Sequence, residues 1–353
     1  MSEAPLVFLP FLLLVTSACA APAPPVAPLP PPTQAMPAPP PLAEATPSAA
    51  PAASVPAVAA VEDKFAKVVI KVEKVGGSVY MLEGAGGNIG VSVGDDGIVL
   101  VDDEFAPLAP KIKEALRGIT DRPIKVVLNT HWHGDHTGGN AIFGADAPIV
   151  AHENVRKRLI AGGPARTVGG KTMDAIPPAP KGALPIVTFQ DQVMVHLNGE
   201  DIRAIHFPNG HTDGDVVIWF TQSNVVHMGD DFVTYGFPFV DAASGGSVRG
   251  LIAAIDKVIP QLPADVKIIP GHGKLSTIDD MKTLSATLKD CVKLVQAEMR
   301  RKKTLEEVQQ ARPLAKYDDL GKGFIKADAF VDTIFKELTS PPPPSPGRVH
   351  EGF

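Results

Sequence analysis

The stretch THWHGDHTGGN, residues 130–140, sets His131, His133, Asp135 and His136 within six consecutive positions of a 353-residue chain that holds ten histidines in all. Zinc and similar cations take neutral imidazole and carboxylate ligands at about 2.0 to 2.2 Å. In a bent loop, ligands one or two residues apart can divide between two ions, so His131 and His133 would face one cation while Asp135 and His136 face another. Four ligands do not complete two coordination shells, and further His and Asp residues are expected elsewhere. GHTDGD supplies His211, MGDD supplies Asp230 and PGHG supplies His272. Each stands beside glycine, which lets the backbone turn sharply and approach closely.

These loops need strands to carry them. VVLN precedes the first motif, DIRAIHF precedes His211, NVVHM precedes Asp230 and VKIIP precedes His272. The ligands therefore project from strand C-terminal ends, where the sites of layered α/β folds gather. Upstream, KVVIKVEKV, SVYMLEG, NIGVSVG and GIVLVDD read as a β-meander broken by Gly or Asp-Gly turns. A helix is expected near residues 107–117, strands at 124–129 and 148–151, and a second strand series over 186–227. Helices then alternate with strands to residue 269, and the end is all-helical. Meanders with helices laid outside predict a layered α/β sandwich of two sheets rather than a doubly wound parallel sheet.

Hydrophobic residues make up 44% of the chain and charged residues 20%, enough apolar material for a sizeable core. A formal net charge of -6 argues against nucleic acid as a partner, since phosphate-backbone binding needs clustered Lys and Arg. A small-molecule substrate is expected instead. The leader MSEAPLVFLPFLLLVTSACA has an apolar run too short to span a bilayer but suited to a secretory signal. Thr16-Ser17-Ala18-Cys19 resembles a bacterial lipobox, so Cys19 is a candidate lipidated N-terminus tethering the protein to a membrane; Ala18-Cys19-Ala20 also fits ordinary signal peptidase. Glu3 and the lack of Lys or Arg before the run run counter to a signal peptide. The expected organisation is a signal at 1–20, a Pro/Ala-rich linker at 21–60, a catalytic domain at 61–275, packed helices at 276–338 and a Pro-rich tail at 339–353. Cys291 then stands alone and is read as a small core residue.

The HxHxDH motif followed in order by the three later motifs resembles the metallo-β-lactamase-fold hydrolases, over about residues 67–272. The resemblance implies a four-layer αββα sandwich with a C-terminal helical extension. It also implies that His131, His133 and His211 hold one zinc ion and Asp135, His136 and His272 a second, with Asp230 bridging; iron and manganese are the alternative ions. Asp102 matches the family's supporting aspartate, and Asp213 is a second candidate for holding a ligand imidazole through its other nitrogen. Water shared by two such cations can have its pKa lowered from 15.7 to about 7, with Asp135 orienting the nucleophile. The expected reaction is hydrolysis of an ester, lactone, thioester or amide, β-lactams included. The alternatives are phosphodiester or sulfate ester hydrolysis, persulfide oxidation on a single iron, or metal binding without turnover. Asp230 replaces the cysteine or serine of the best-known β-lactamases, which favours the wider hydrolase branch. Tyr235 and Phe237, in the aromatic run after Asp230, are candidate pocket residues; ordinary packing beneath the site is the competing role. His152, His196, His206, His227 and His350 match no ligand position.

The leader makes one direct prediction, a periplasmic or outer-membrane-attached protein whose mature chain starts between Cys19 and Ala21. Mass spectrometry of the protein expressed in a bacterium checks it, and an intact Met1 leader on cytosolic protein would exclude it.

Overall fold

Val79 to Val101 alternates short runs of β-branched and aliphatic residues with Gly-, Asn- and Asp-containing turns, and the backbone follows. The computed structural model describes residues 64–168 and 171–340; the expected signal, the linker and the tail beyond 340 lie outside the described residues. Strands β1 (Lys71–Gly76), β2 (Val79–Glu83), β3 (Ile89–Gly94) and β4 (Gly97–Val101) form the antiparallel meander. The first of them begins at Lys71, so the leading KVVI of its apolar run stays outside the sheet. Helix α1 (Ala109–Arg117) crosses to β5 (Ile124–Leu128), which pairs parallel with β4. The short helices α2 (Gly134–Thr137) and α3 (Asn140–Phe143) lead to β6 (Ile149–His152), parallel to β5, and then to α4 (Glu153–Ala161).

A two-stranded hairpin, β7 (Arg166–Val168) with β8 (Lys171–Met173), stands apart from both main sheets. The next strand, β9 (Val187–Phe189), differs from the expected second series. It pairs parallel with β6 and closes the first sheet, in the order β1-β2-β3-β4-β5-β6-β9. The second sheet has the order of its strands in the chain: β10 (Gln192–Leu197), β11 (Glu200–His206), β12 (Val216–Phe220), β13 (Val225–His227), β14 (Lys267–Ile269) and β15 (Ser276–Thr277). Helix α5 (Val248–Val258) makes the crossover between the parallel pair β13 and β14. Helices α6 (Ile278–Met299), α7 (Leu305–Gln310) and α8 (Ala327–Thr339) end the described chain. Among the described residues no helix is long and apolar enough to cross a membrane.

The period-two geometry of a strand explains how one run of apolar residues serves two cores. Along β4, Val99 and Val101 face the second sheet while Ile98 and Leu100 face α1. Along β12, Val216, Ile218 and Phe220 enter the inter-sheet core, and Val217 packs toward α5 and α6. Strand β10, at the edge, buries one face only, with Val193, Val195 and Leu197 inward. These three apolar layers make the αββα sandwich.

The C-terminal helices are part of the largest apolar cluster. Met281, Leu288 and Val295 of α6 and Phe330 and Ile334 of α8 join Val226 and Ile268 of the second sheet. Thr277 and Asp280 cap α6 reciprocally, Thr277 accepting from the Asp280 backbone N–H and Asp280 from that of Thr277. Cys291 is buried in the same cluster, where burial pushes its thiol up to about 12, so it is an inert packing residue. The Phe330 ring stacks on Phe237 at 4.6 Å between centroids, and both are fully buried. Phe330→Ala is expected to cost about 3 to 5 kcal/mol in urea unfolding, as buried Phe truncations do. An unshifted midpoint would show that α8 is not part of the cooperative fold.

Candidate metal centre

The loop after β5 is braced by a carboxylate at the end of β4. Asp102 follows β4 with φ 63, a left-handed conformation that turns its side chain under the neighbouring loop. Its Oδ1 accepts the Thr130 backbone N–H at 2.8 Å, and its Oδ2 accepts the Thr130 hydroxyl at 2.6 Å and His136 Nδ1 at 2.8 Å. The expected support of a ligand imidazole by Asp102 is thus present in the geometry, on His136.

Where the ring protons sit is the decisive feature of the centre. His211 Nδ1 donates to the Phe239 carbonyl at 2.8 Å, and His133 Nε2 donates to Asp241 Oδ2 at 2.9 Å. Each ring has then committed its proton, yet His211 Nε2 and His133 Nδ1 face one another at 2.8 Å. The Thr130 hydroxyl gives its proton to Asp102 and so accepts His131 Nδ1 at 3.1 Å. His131 Nε2 is left buried without a hydrogen-bond partner. Three imidazole lone pairs converge with no proton to share, and only an electron-pair acceptor satisfies all of them. Burial, with the neighbouring His136 and His211, holds His131 well below its usual pKa. Burial lowers His133 as well. Neutral rings are what metal coordination requires.

A second group lies beside the first. His136 Nε2 is 3.3 Å from His272 Nε2, and His272 Nε2 is 3.3 Å from Asp135 Oδ2. Asp230 spans both groups: Oδ1 lies 3.2 Å from His136 Nε2 and 3.5 Å from His272 Nε2, while Oδ2 lies 3.6 Å from His211 Nε2. Burial alone would raise the Asp230 carboxyl, but the charges of His272 and His136 outweigh it and hold the group well below the usual carboxylate range. Burial would lower His136, yet Asp230, Asp102 and Asp135 together drive its pKa well above the ordinary value. The same excess of negative charge attracts a divalent cation. All seven residues expected as ligands therefore stand in one cluster, whose donor set suits metal binding.

Close backbone approach makes room for them. A Cβ on Gly87 would lie 2.1 Å from the His136 ring, and one on Gly271 would lie 2.0 Å from Asp230 Oδ1. Asn88 ties these segments together, its side-chain amide donating to the Pro270 and Gly273 carbonyls at 2.9 and 2.8 Å. The Asn88 carbonyl accepts His227 Nε2 at 2.9 Å, and His227 Nδ1 accepts the Gly229 N–H at 3.1 Å, next to Asp230. His227 is thus a satisfied core histidine that fixes the ligand loops.

Two sequence expectations need correction. Asp213 touches no ligand imidazole; both its oxygens are taken by Arg158, at 2.7 and 2.6 Å. The imidazole support belongs to Asp241, which sequence reading missed because an Asp ahead of Ala-Ala-Ser reads as a turn cap, a role it also fills by accepting the Ser244 N–H. Arg166 binds the same Asp241 oxygen at 2.5 Å. Phe237 lines no pocket: its backbone bridges to Ile325, which draws the ring into the core against Phe330. Tyr235 is half-buried with its ring 5.8 Å from that of His272, and Phe239, not Phe237, stacks on His133 at 5.9 Å.

Comparison with known proteins agrees with this geometry. The family profile described as the Metallo-beta-lactamase superfamily matches residues 79–272, more than half of the chain. The hydroxyacylglutathione hydrolase of Polaromonas sp. is 30% identical over 42% of this chain and 48% of that enzyme. The linear primary-alkylsulfatase of Pseudomonas sp. is 26% identical over 51% of this chain and 40% of that enzyme. The chain thus spans less than half the length of these curated relatives. A metallo-beta-lactamase from Pontibacter korlensis superposes with a TM-score of 0.52 at 18% identity, over 63% of this chain and 99% of that one, a likeness of fold.

The contrast between the two aspartates is testable. Asp241→Ala is expected to weaken divalent-cation affinity about 10- to 100-fold in chelator competition, as loss of a carboxylate behind a ligand imidazole does, whereas Asp213→Ala leaves affinity unchanged. Equal effects would remove the assigned role of Asp241.

Proposed function

The chain belongs to the metallo-β-lactamase superfamily, and on that footing we propose that it is an exported hydrolase working with two zinc ions on an ester, lactone, thioester or amide. The observation that carries the reading is the pair of adjoining donor groups, His131, His133 and His211 beside Asp135, His136 and His272, with Asp230 reaching both. Zinc held by these residues supplies Lewis acidity toward a carbonyl oxygen and acidifies water. Two donor groups favour two ions over the single iron of a persulfide dioxygenase. The sulfate-ester alternative draws its support from the alkylsulfatase relative. Export, with a membrane tether through Cys19, is supported by the leader sequence.

The chain's own residues divide the remaining work. Asp135 has a side chain 32% exposed, the most open of the carboxylates in the cluster. Burial would raise its carboxyl, but His136 and His272 outweigh burial and hold it below the usual range, so it is an ionised acceptor at neutral pH that can orient an attacking water. His133 and His211 are kept in one tautomer by Asp241 and the Phe239 carbonyl. The buried walls around them limit bulk water. Cys291, the one cysteine among the described residues, is buried in the helical cluster and unavailable as a nucleophile.

Elemental analysis of the purified chain is expected to find two zinc ions, with His272→Ala retaining about one. Turnover of a generic ester or β-lactam reporter should fall at least about a hundredfold in that variant, beyond the loss typical of a supporting residue. One redox-active iron and no zinc would overturn the proposal.

A further inference from the structure

We propose that the cleft beside the metal centre receives an uncharged, apolar part of the substrate, an acyl or alkyl chain, and that Phe324 of the C-terminal extension is a specificity-determining residue. The inference rests on the hydrolase reading and narrows its substrate class. A cavity of about 890 Å³ adjoins the cluster, a size suited to a small-molecule substrate. Its wall includes Phe239 and Asp241, the two residues whose oxygens hold His211 and His133. A group seated there lies against the supports of the ligand imidazoles.

The charges in the wall cancel locally. Its charged residues form three ion pairs: Arg166 with Asp241 at 2.5 Å, Arg249 with Glu337 at 2.7 Å, and Lys336 with Asp332 at 2.7 Å. Glu337 also accepts the Val248 N–H at 2.6 Å, filling the anion position at the α5 N-terminus with a protein carboxylate. An anionic substrate tail would have to displace a carboxylate already in place, and a cationic tail would have to displace an arginine or lysine. Burying either tail without a partner is unfavourable. Phe239, Val240, Ile325 and Ala329 give the wall apolar surface suited to hydrocarbon, among neutral polar residues such as Ser247 and Thr333.

Aromatic rings continue that surface across the cluster. Tyr235 packs on His272 with centroids 5.8 Å apart, Phe239 stacks on His133 at 5.9 Å, and Phe324 meets Phe239 edge-on at 6.3 Å. Phe324 itself is 42% exposed. It arrives there because Ile325 bridges to Phe237 and pulls the segment before α8 against the second-sheet loops. An apolar chain laid along Phe239 would reach the exposed part of the Phe324 ring and remove apolar surface from water.

The test uses the zinc-loaded full chain and three esters: 4-nitrophenyl acetate, 4-nitrophenyl octanoate and the mono-4-nitrophenyl ester of suberic acid. Suberate has the length of octanoate and ends in a carboxylate. In each, water adds its oxygen to the acyl carbon, the acyl C–O bond breaks, and 4-nitrophenol leaves with a proton. Octanoate is expected to exceed the suberate half-ester by about tenfold or more in kcat/KM. Phe324→Ala should lower the octanoate-to-acetate ratio about tenfold through KM, and Phe324→Leu should restore most of it. Preference for suberate, or a ratio unmoved in Phe324→Ala with metal content normal, overturns the proposal. Should no ester be hydrolysed, only the ester branch of the hydrolase reading fails, and calorimetry with octanamide against suberic acid monoamide still decides the cleft. Tighter octanamide binding that Phe324→Ala weakens supports it; equal binding of the two overturns it.

Discussion

Three imidazole nitrogens whose rings have already given their protons elsewhere are made to face one another where all three rings are buried. Everything else about the centre serves that constraint. The Phe239 carbonyl takes the proton of His211, Asp241 takes that of His133, and Thr130, itself donating to Asp102, takes that of His131. Without those acceptors each ring could choose its tautomer, and the close approach of His211 and His133 would relax into an ordinary hydrogen bond. With them, repulsion between lone pairs is built into the folded state and is relieved only by a cation.

Sustaining such an arrangement requires stiffness from both sheets. His131, His133, Asp135 and His136 come from the loop after β5 of the first sheet, whereas His211, Asp230 and His272 come from loops of the second. The inter-sheet core, from Val99 and Val101 to Ile218 and Phe220, sets the separation at which the two sets meet. Cross-links at the loop ends then remove the remaining freedom. Asn88 joins the first sheet to the Pro270–Gly273 turn, and His227 couples Asn88 to Gly229 beside the spanning aspartate. These contacts are individually ordinary, but together they fix the backbone beside Asp230 and His272.

The C-terminal helices change the character of the region around the centre. Their apolar faces complete the layer outside the second sheet, and the segment before α8 brings Ile325 into the cleft wall and Phe324 against Phe239. Glu337, Asp332 and Lys336 from α8 contribute half of the charged residues in its wall. One extension therefore adds to the core and shapes the surface next to the metal centre.

Much of this was legible in the amino-acid order because two signals are local. Strand periodicity and Gly-bounded turns marked the meander, and His and Asp crowded at strand ends marked the donor set, since a metal site built on loops leaves its ligands close in sequence. The partners that orient those ligands were not legible. Asp241 lies 108 residues from His133 and sits in a stretch that also reads as a turn cap, while Asp213, close in sequence to His211, proved to serve Arg158. Likewise Phe237 and Phe239 are indistinguishable as types; only the bridge to Ile325 sends one into the core and leaves the other against the histidines. Most of the strands and all of the donor residues could be read along the chain, because both depend on sequence neighbours. Which carboxylate faces which ring, and which aromatic faces the cleft, was decided by the tertiary structure, because hydrogen-bond geometry and packing join residues that only folding brings together.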